Sequence, residues 1–293
     1  MQEIIRNLLK QKGLFICRHP LHSKFDFEVS PYHILKQKKC FKTGCVEFIW
    51  RCKIHGKNID CPRGYKHVGK NCFSCKHYYE EKICRKPEAL VDKETLQKFF
   101  DDLKDYEYWL STVEGKRVSF SGIITAVYPS LVMTVDNNRS SVRMNGFLIK
   151  FARGYIGYDL FDDTIYLHIG RRFLAKWQPA PSDELEFKAR LTNSRGKVVL
   201  IRPTEVEIEK NEGKPIIDYS KALIGKTTGT IVRDDISLCH QCPFGALLDV
   251  IVLRPKRNIY RRFYCLRGVE YSKDCPVRLE QELIKNSNQS VEI

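Results

Sequence analysis

The stretch Cys17-Arg18-His19-Pro20-Leu21-His22, continued by Phe27-Glu28-Val29-Ser30-Pro31 and Cys40-Phe41-Lys42-Thr43-Gly44-Cys45, decides how this chain is read. Cys17 with His22, and Cys40 with Cys45, form two short pairs of soft donors separated by 17 residues. Thiolate and imidazole donors spaced in this way on a hairpin suit a tetrahedral zinc ion. His19, inside the first pair, is a further possible ligand.

Outward from this stretch the same donor type recurs. Trp50-Arg51-Cys52 leads through eight residues to Cys61-Pro62, and Phe263-Tyr264-Cys265 leads through nine to Cys275-Pro276. Each has a C-x2-C nearby, Cys72 and Cys75 in the first case, Cys239 and Cys242 in the second. Three four-ligand sets follow: Cys17, His22, Cys40, Cys45; Cys52, Cys61, Cys72, Cys75; and Cys239, Cys242, Cys265, Cys275. Cys84 is left over, either as a replacement for Cys61 or as a free buried thiol. About three zinc ions are therefore expected, one for each set. A 4Fe–4S cluster is the alternative occupant of the two all-cysteine sets, whereas imidazole beside thiolates favours zinc in the first.

The first stretch also resembles the CHC2 zinc ribbon at the N-terminus of bacterial DNA primases. Phe27, Val29 and Pro31 fill that family's strand motif, and Val46-Glu47-Phe48-Ile49 follows the last cysteine as an acidic and apolar run. Both ligand pairs are wider here, with four residues between partners. The resemblance covers residues 14–50 and implies a module that contacts single-stranded template DNA, without implying catalysis.

The 293 residues are enough for about two domains, and a hydrophobic content of 43% supports real cores. No apolar run is long enough for a membrane span, and the N-terminus lacks the features of a signal peptide, so a cytoplasmic protein is expected. In a reducing compartment the twelve cysteines point to metal and away from disulfides. The net charge of +15 is concentrated in residues 1–90, which carry 19 basic against 8 acidic side chains. A basic, cysteine-rich chain calls for a polyanion partner, nucleic acid being the common one.

The pattern predicts a mainly β protein of the α+β type, with a central OB-like β-barrel flanked by zinc-ribbon-type modules. Residues 1–90 form the cysteine-rich module, opening with an amphipathic helix over 2–12, and residues 91–114 form an acidic connector helix capped by Asp92. Residues 115–212 alternate as short strands and resemble an OB-fold, with a sandwich as the structural alternative. Residues 213–286 form a C-terminal zinc-ribbon-type domain, and 287–293 a tail.

No complete catalytic motif is present. Gly225-Lys226-Thr227 has the end of a phosphate-binding loop, but Ser220 stands where its first glycine belongs, and the segment reads as a strand entry. The paired aspartates alternate faces in a strand and cannot jointly hold one magnesium ion. Candidate nucleic-acid contacts are the loop-proximal Tyr155, Tyr158, Arg171, Arg172 and Trp177, and the cation cluster Arg254, Lys256, Arg257, Arg261 and Arg262. The expected function is non-catalytic, metal-dependent binding of single-stranded DNA or RNA, accessory to replication, repair or transcription. An iron–sulfur protein with a redox or enzymatic role, and a protein-interaction subunit of a larger complex, are the alternatives.

Overall fold

The computed structural model describes residues 3–57, 59–137, 139–211, 213, 217–234, 236, 239, 242, 244–254 and 258–279. Lys256, Arg257 and the expected tail at 287–293 lie outside them. The chain divides into two compact units: Leu8–Tyr108, and Met1–Asn7 together with Trp109–Ile293. Strands dominate, as expected for a mainly β chain.

The N-terminal segment differs from its expected helix. Strand β1 (Ile4–Ile5) pairs in parallel with Leu160 and Phe161, and a 3-10 turn follows at Leu8–Lys10. A helix of about ten residues is marginal in isolation, so two β-branched residues that find a strand edge are better satisfied in a ladder. The described residues up to Asn7 therefore belong with the larger unit and not with the cysteine-rich one.

The cysteine-rich unit contains β2 (Phe15–Ile16), α1 (Cys40–Thr43), β3 (Cys45–Cys52), β4 (Tyr78–Arg85), β5 (Glu88–Ala89) and most of α2 (Lys93–Val113). β3 and β4 form an antiparallel hairpin that sets Cys45 opposite Arg85 and Cys52 opposite Tyr78. β2 pairs with β5. Helix α2 begins at its expected cap: the Thr95 N–H donates to Asp92 Oδ1 at 2.9 Å and the Thr95 hydroxyl to Oδ2 at 2.7 Å. Its Phe99 ring meets Phe15 edge-on at 6.0 Å, and Phe15 meets Phe41 at 5.8 Å. These rings form a small apolar core, and beyond them the unit is rich in loops.

The larger unit continues with β6 (Arg117–Asp136), β7 (Arg139–Phe151), β8 (Gly154–Ile156), β9 (Asp159–Phe161), β10 (Ile165–Ile169), α3 (Arg171–Trp177), β11 (Glu184–Ser194) and β12 (Lys197–Glu209). It ends with α4 (Tyr219–Thr228), β13 (Thr230–Ile231), β14 (Gly245–Val252) and β15 (Asn258–Cys265). Five ladders run from β6 to β11, β12, β10 and β7 and return to β6. Only the β10–β12 pair in that circuit is parallel.

Inside the circuit Phe147, Ile149 and Phe151 are fully buried, as a period of two requires, and Leu185, Leu191 and Leu200 join them. The β6–β7 register shifts near Ala126 and again near Pro129, irregularities of the kind that let a strand of 20 residues bend. The second half of β6 takes β14 alongside in parallel, with Ser130 opposite Leu247.

One buried carboxylate ties the connections together. Asp183, with no solvent exposure, accepts from the Ala180 N–H at 2.8 Å, the Lys210 ammonium at 2.9 Å and the Asn211 N–H at 3.1 Å. The Gly225-Lys226-Thr227 segment, expected as a strand entry, closes α4 instead, and strand begins only at Thr230. Gly225 is buried there and packed so closely that a Cβ would stand 2.7 Å from that of Leu266.

Candidate functional site

The first ligand stretch folds around Cys45. Cys17 leaves β2, and its N–H donates to the Phe27 carbonyl at 2.8 Å, while the Phe27 N–H donates to the His22 carbonyl at 3.1 Å. These bonds close the loop and hold the 3-10 helix Pro20–Phe25 that carries His22. The chain then runs through a π-helix at Tyr32–Gln37, a left-handed Lys39 (φ 53°) and the short α1 that starts with Cys40. Gly44 (φ 77°) turns the chain into β3, where a Cβ would stand 3.3 Å from the Arg85 carbonyl oxygen. Glycine adopts this conformation without a steric cost.

These turns make two donor groups. Ligand atoms of Cys17, His22 and Cys45 lie within 4.8 Å of one another, and so do those of His33, Cys40 and Cys45. All four residues of the expected first set are thus brought together, and His33 joins them. His19 instead places Nε2 3.3 Å from the Val46 carbonyl oxygen.

The chemistry of the donors fits a cation. Burial pushes the thiols of Cys17, Cys40 and Cys45 up, so that without a counter-charge they stay protonated. Burial also lowers His22, and it lowers His33 to about 4, leaving both imidazoles neutral, the form that binds metal. A bound cation would invert the preference of the thiols. His33 Nε2 is buried with no hydrogen-bond partner, and His22 Nδ1 lies 3.3 Å from the Cys17 carbonyl oxygen. The Cys/His group can hold a metal ion.

The other expected sets are less closely gathered. Among the described residues, no third group of such ligand atoms lies within that 4.8 Å distance. In the second set, Arg63 donates to the Asn71 carbonyl and the Ser74 hydroxyl, both at 3.1 Å, which ties the Cys61 loop to the Cys72–Cys75 turn. The Cys61 thiol is lowered by the backbone N–H groups of Arg63, Tyr65 and Gly64 that face it.

In the third set, Cys265 ends β15 opposite Gly245, and the Gly245 N–H donates to the Cys242 carbonyl at 3.0 Å. A Cβ on Gly245 would sit 2.5 Å from the Cys239 carbonyl oxygen, so only glycine allows that approach. Burial raises the Cys242 thiol, and the charges of Cys265 and Cys275 raise it further, which marks the three as neighbours. Cys84 is exposed on β4 opposite Val46.

The expected nucleic-acid contacts fall in separate places. Tyr155 and Tyr158, 44% and 92% exposed, line an open cleft of about 900 Å³ with Arg117, Ser119 and Asp159. Arg171, Arg172 and Trp177 stand on α3, with the Arg171 guanidinium 4.5 Å over the Tyr219 ring and Lys176 4.5 Å over Trp177. Arg254 pairs with Asp136 at 3.4 Å, and Arg262 lies 5.4 Å over Tyr260. Arg261 is held by both Asp249 carboxylate oxygens, at 2.9 and 3.1 Å.

Sequence reasoning missed Arg117 and an aromatic group on the cysteine-rich unit. Phe48, Trp50 and Phe73 are exposed there, and the Trp50 and Phe73 rings meet edge-on at 5.0 Å. The alternation of Val46, Phe48 and Trp50 along β3 was the available signal. Among the described residues no helix is long and apolar enough to cross a membrane. Comparison with family models, curated proteins and solved structures returned no match.

Proposed function

We propose that this chain is a zinc-stabilised, non-catalytic protein that binds single-stranded DNA or RNA. The observation that carries the reading is the open cleft in which Tyr155 and Tyr158 stand exposed beside Arg117. Exposed rings offer stacking faces to bases, and an adjacent guanidinium offers a partner to the phosphates.

The circuit of ladders supports an OB-like barrel as the frame for that cleft. Its parallel β10–β12 pair and the helix α3 between β10 and β11 fit a five-stranded barrel of that kind. The Cys/His group supports a zinc-ribbon reading of the cysteine-rich unit, since both donor pairs of the first set meet at the start of the β3–β4 hairpin. The excess of basic residues over 1–90 gives this unit a field that attracts a polyanion.

Fluorescence anisotropy of a labelled single-stranded oligonucleotide against the full chain, repeated across salt concentrations, tests the proposal. Saturable binding that weakens steeply with salt supports it. Lack of binding at low salt by the metal-loaded chain sinks it.

A further inference from the structure

Four donors gather around Cys45 in the cysteine-rich unit, five with Cys45 itself, one more than a structural zinc ion takes. We propose that His33 is a direct ligand of the metal, completing Cys17, Cys40 and Cys45, and that His22 is the surplus donor. The inference rests on the reading of this cluster as a metal centre and says how that centre is filled.

The two imidazoles differ in what they have without a cation. His22 Nδ1 is 3.3 Å from the Cys17 carbonyl oxygen and can donate a hydrogen bond to it. His33 Nε2 is buried with no hydrogen-bond partner, although the Gln37 side chain interacts with the same ring. A buried polar atom left in that state bears its desolvation cost with nothing in return, and coordination to a cation would remove that cost.

The backbone places His33 for this role. It sits in the π-helix Tyr32–Gln37, a widened turn of the kind that recurs at functional sites. Its N–H donates to the Ser30 carbonyl at 2.9 Å, and its carbonyl accepts from the Lys38 N–H at 2.8 Å, so the turn is fixed at both ends. The ion pair of Lys36 with Glu107, at 2.8 Å, joins the same turn to α2. The His33 ring stands perpendicular to that of His22 with centroids 4.8 Å apart.

Distance allows the coordination. A ring nitrogen of His33 lies within 4.8 Å of the Cys40 and Cys45 sulfurs. Zinc bonds of about 2.0–2.3 Å bring tetrahedral donors to roughly 3.3–3.8 Å from one another, so His33, Cys40 and Cys45 close by at most about 1.5 Å, and Cys17, which lies within 4.8 Å of Cys45, moves in with them.

The test is a proton–nitrogen NMR titration of the full chain with zinc, the histidine rings being nitrogen-labelled, in wild type, H33Q and H22Q. The expected result is that the ring signal absent from H33Q moves on zinc addition while the one absent from H22Q does not. H33Q is then expected to weaken zinc at this centre by at least the roughly tenfold that loss of even an outer partner brings, and H22Q by less. Should H33Q fail to fold, through-space contacts between the two rings assign the His33 signal in wild type. A His33 signal unmoved at zinc saturation, or an H22Q loss equal to that of H33Q, overturns the inference. A wild-type chain that takes up no zinc overturns the metal reading as well, and is recognised by the absence of any shift.

Discussion

Cys45 and His33 share one cation-sized space, with the sulfur and a ring nitrogen within 4.8 Å. Cys45 also belongs to the group with Cys17 and His22, which makes it the donor common to both. Replacement of Cys45 by serine is therefore expected to empty this centre, lowering bound zinc by one per chain. C84S, at an exposed position outside both groups, is expected to leave zinc content unchanged. Elemental analysis of the two variants beside wild type checks the pair.

Metal removal is expected to act most strongly on the cysteine-rich unit. The residues Leu8–Tyr108 have an apolar core built around Phe15, Phe41 and Phe99, with loops holding the cysteines, whereas the larger unit has a circuit of ladders filled by buried side chains. Where the core is small, metal binding energy is folding energy. Hydrogen exchange after treatment with a strong chelator is expected to show protection lost over the ligand loops and β3–β4 and retained in β10, β11 and β12. Uniform loss, or no loss, would contradict this.

Asp183 supports the larger unit through a buried charge. Its replacement by alanine leaves the Ala180 and Asn211 N–H groups without their acceptor, while Lys210 loses its carboxylate but keeps the Gln178 carbonyl at 2.6 Å. Lys210 is about half exposed and can turn to water, so the orphaned amides set the cost. A loss of roughly 3 kcal/mol is expected for D183A in denaturant unfolding.

The cleft prediction separates binding from folding. Tyr155 and Tyr158 project into solvent, so Y155A and Y158A remove stacking faces with little loss of core. Each is expected to weaken oligonucleotide binding by about 1–3 kcal/mol if one base stacks there. R261A is a useful contrast, because its guanidinium is occupied by Asp249. Titrations at one salt concentration, with thermal unfolding of each variant, distinguish the two effects.

The gathering of the donor pairs was legible in the sequence because such spacing is local: Cys17 and His22 are joined by one loop, and Cys40 and Cys45 by one short helix. His33 was not legible, since it arrives through a π-helical turn that leaves no spacing signal. The alternation of Phe147, Ile149 and Phe151 identified a core face correctly. The parallel pairing of β10 with β12, and of β6 with β14, could not be read, because parallel partners are set by distant segments and not by a hairpin turn. Ile4 and Ile5 failed for the same reason, their partners Leu160 and Phe161 lying far along the chain. Among the expected contacts, Arg261 looked like part of a free cation cluster only because Asp249, directly across the β14–β15 hairpin, is twelve residues away.

The metal content and visible absorbance of anaerobically purified full-length protein, stripped of nucleic acid, test the central claim most directly. The account predicts zinc at about three per chain, one for each four-ligand set, with no visible band. A folded chain with no bound metal would contradict it, and iron with acid-labile sulfide would replace the zinc assignment by a cluster.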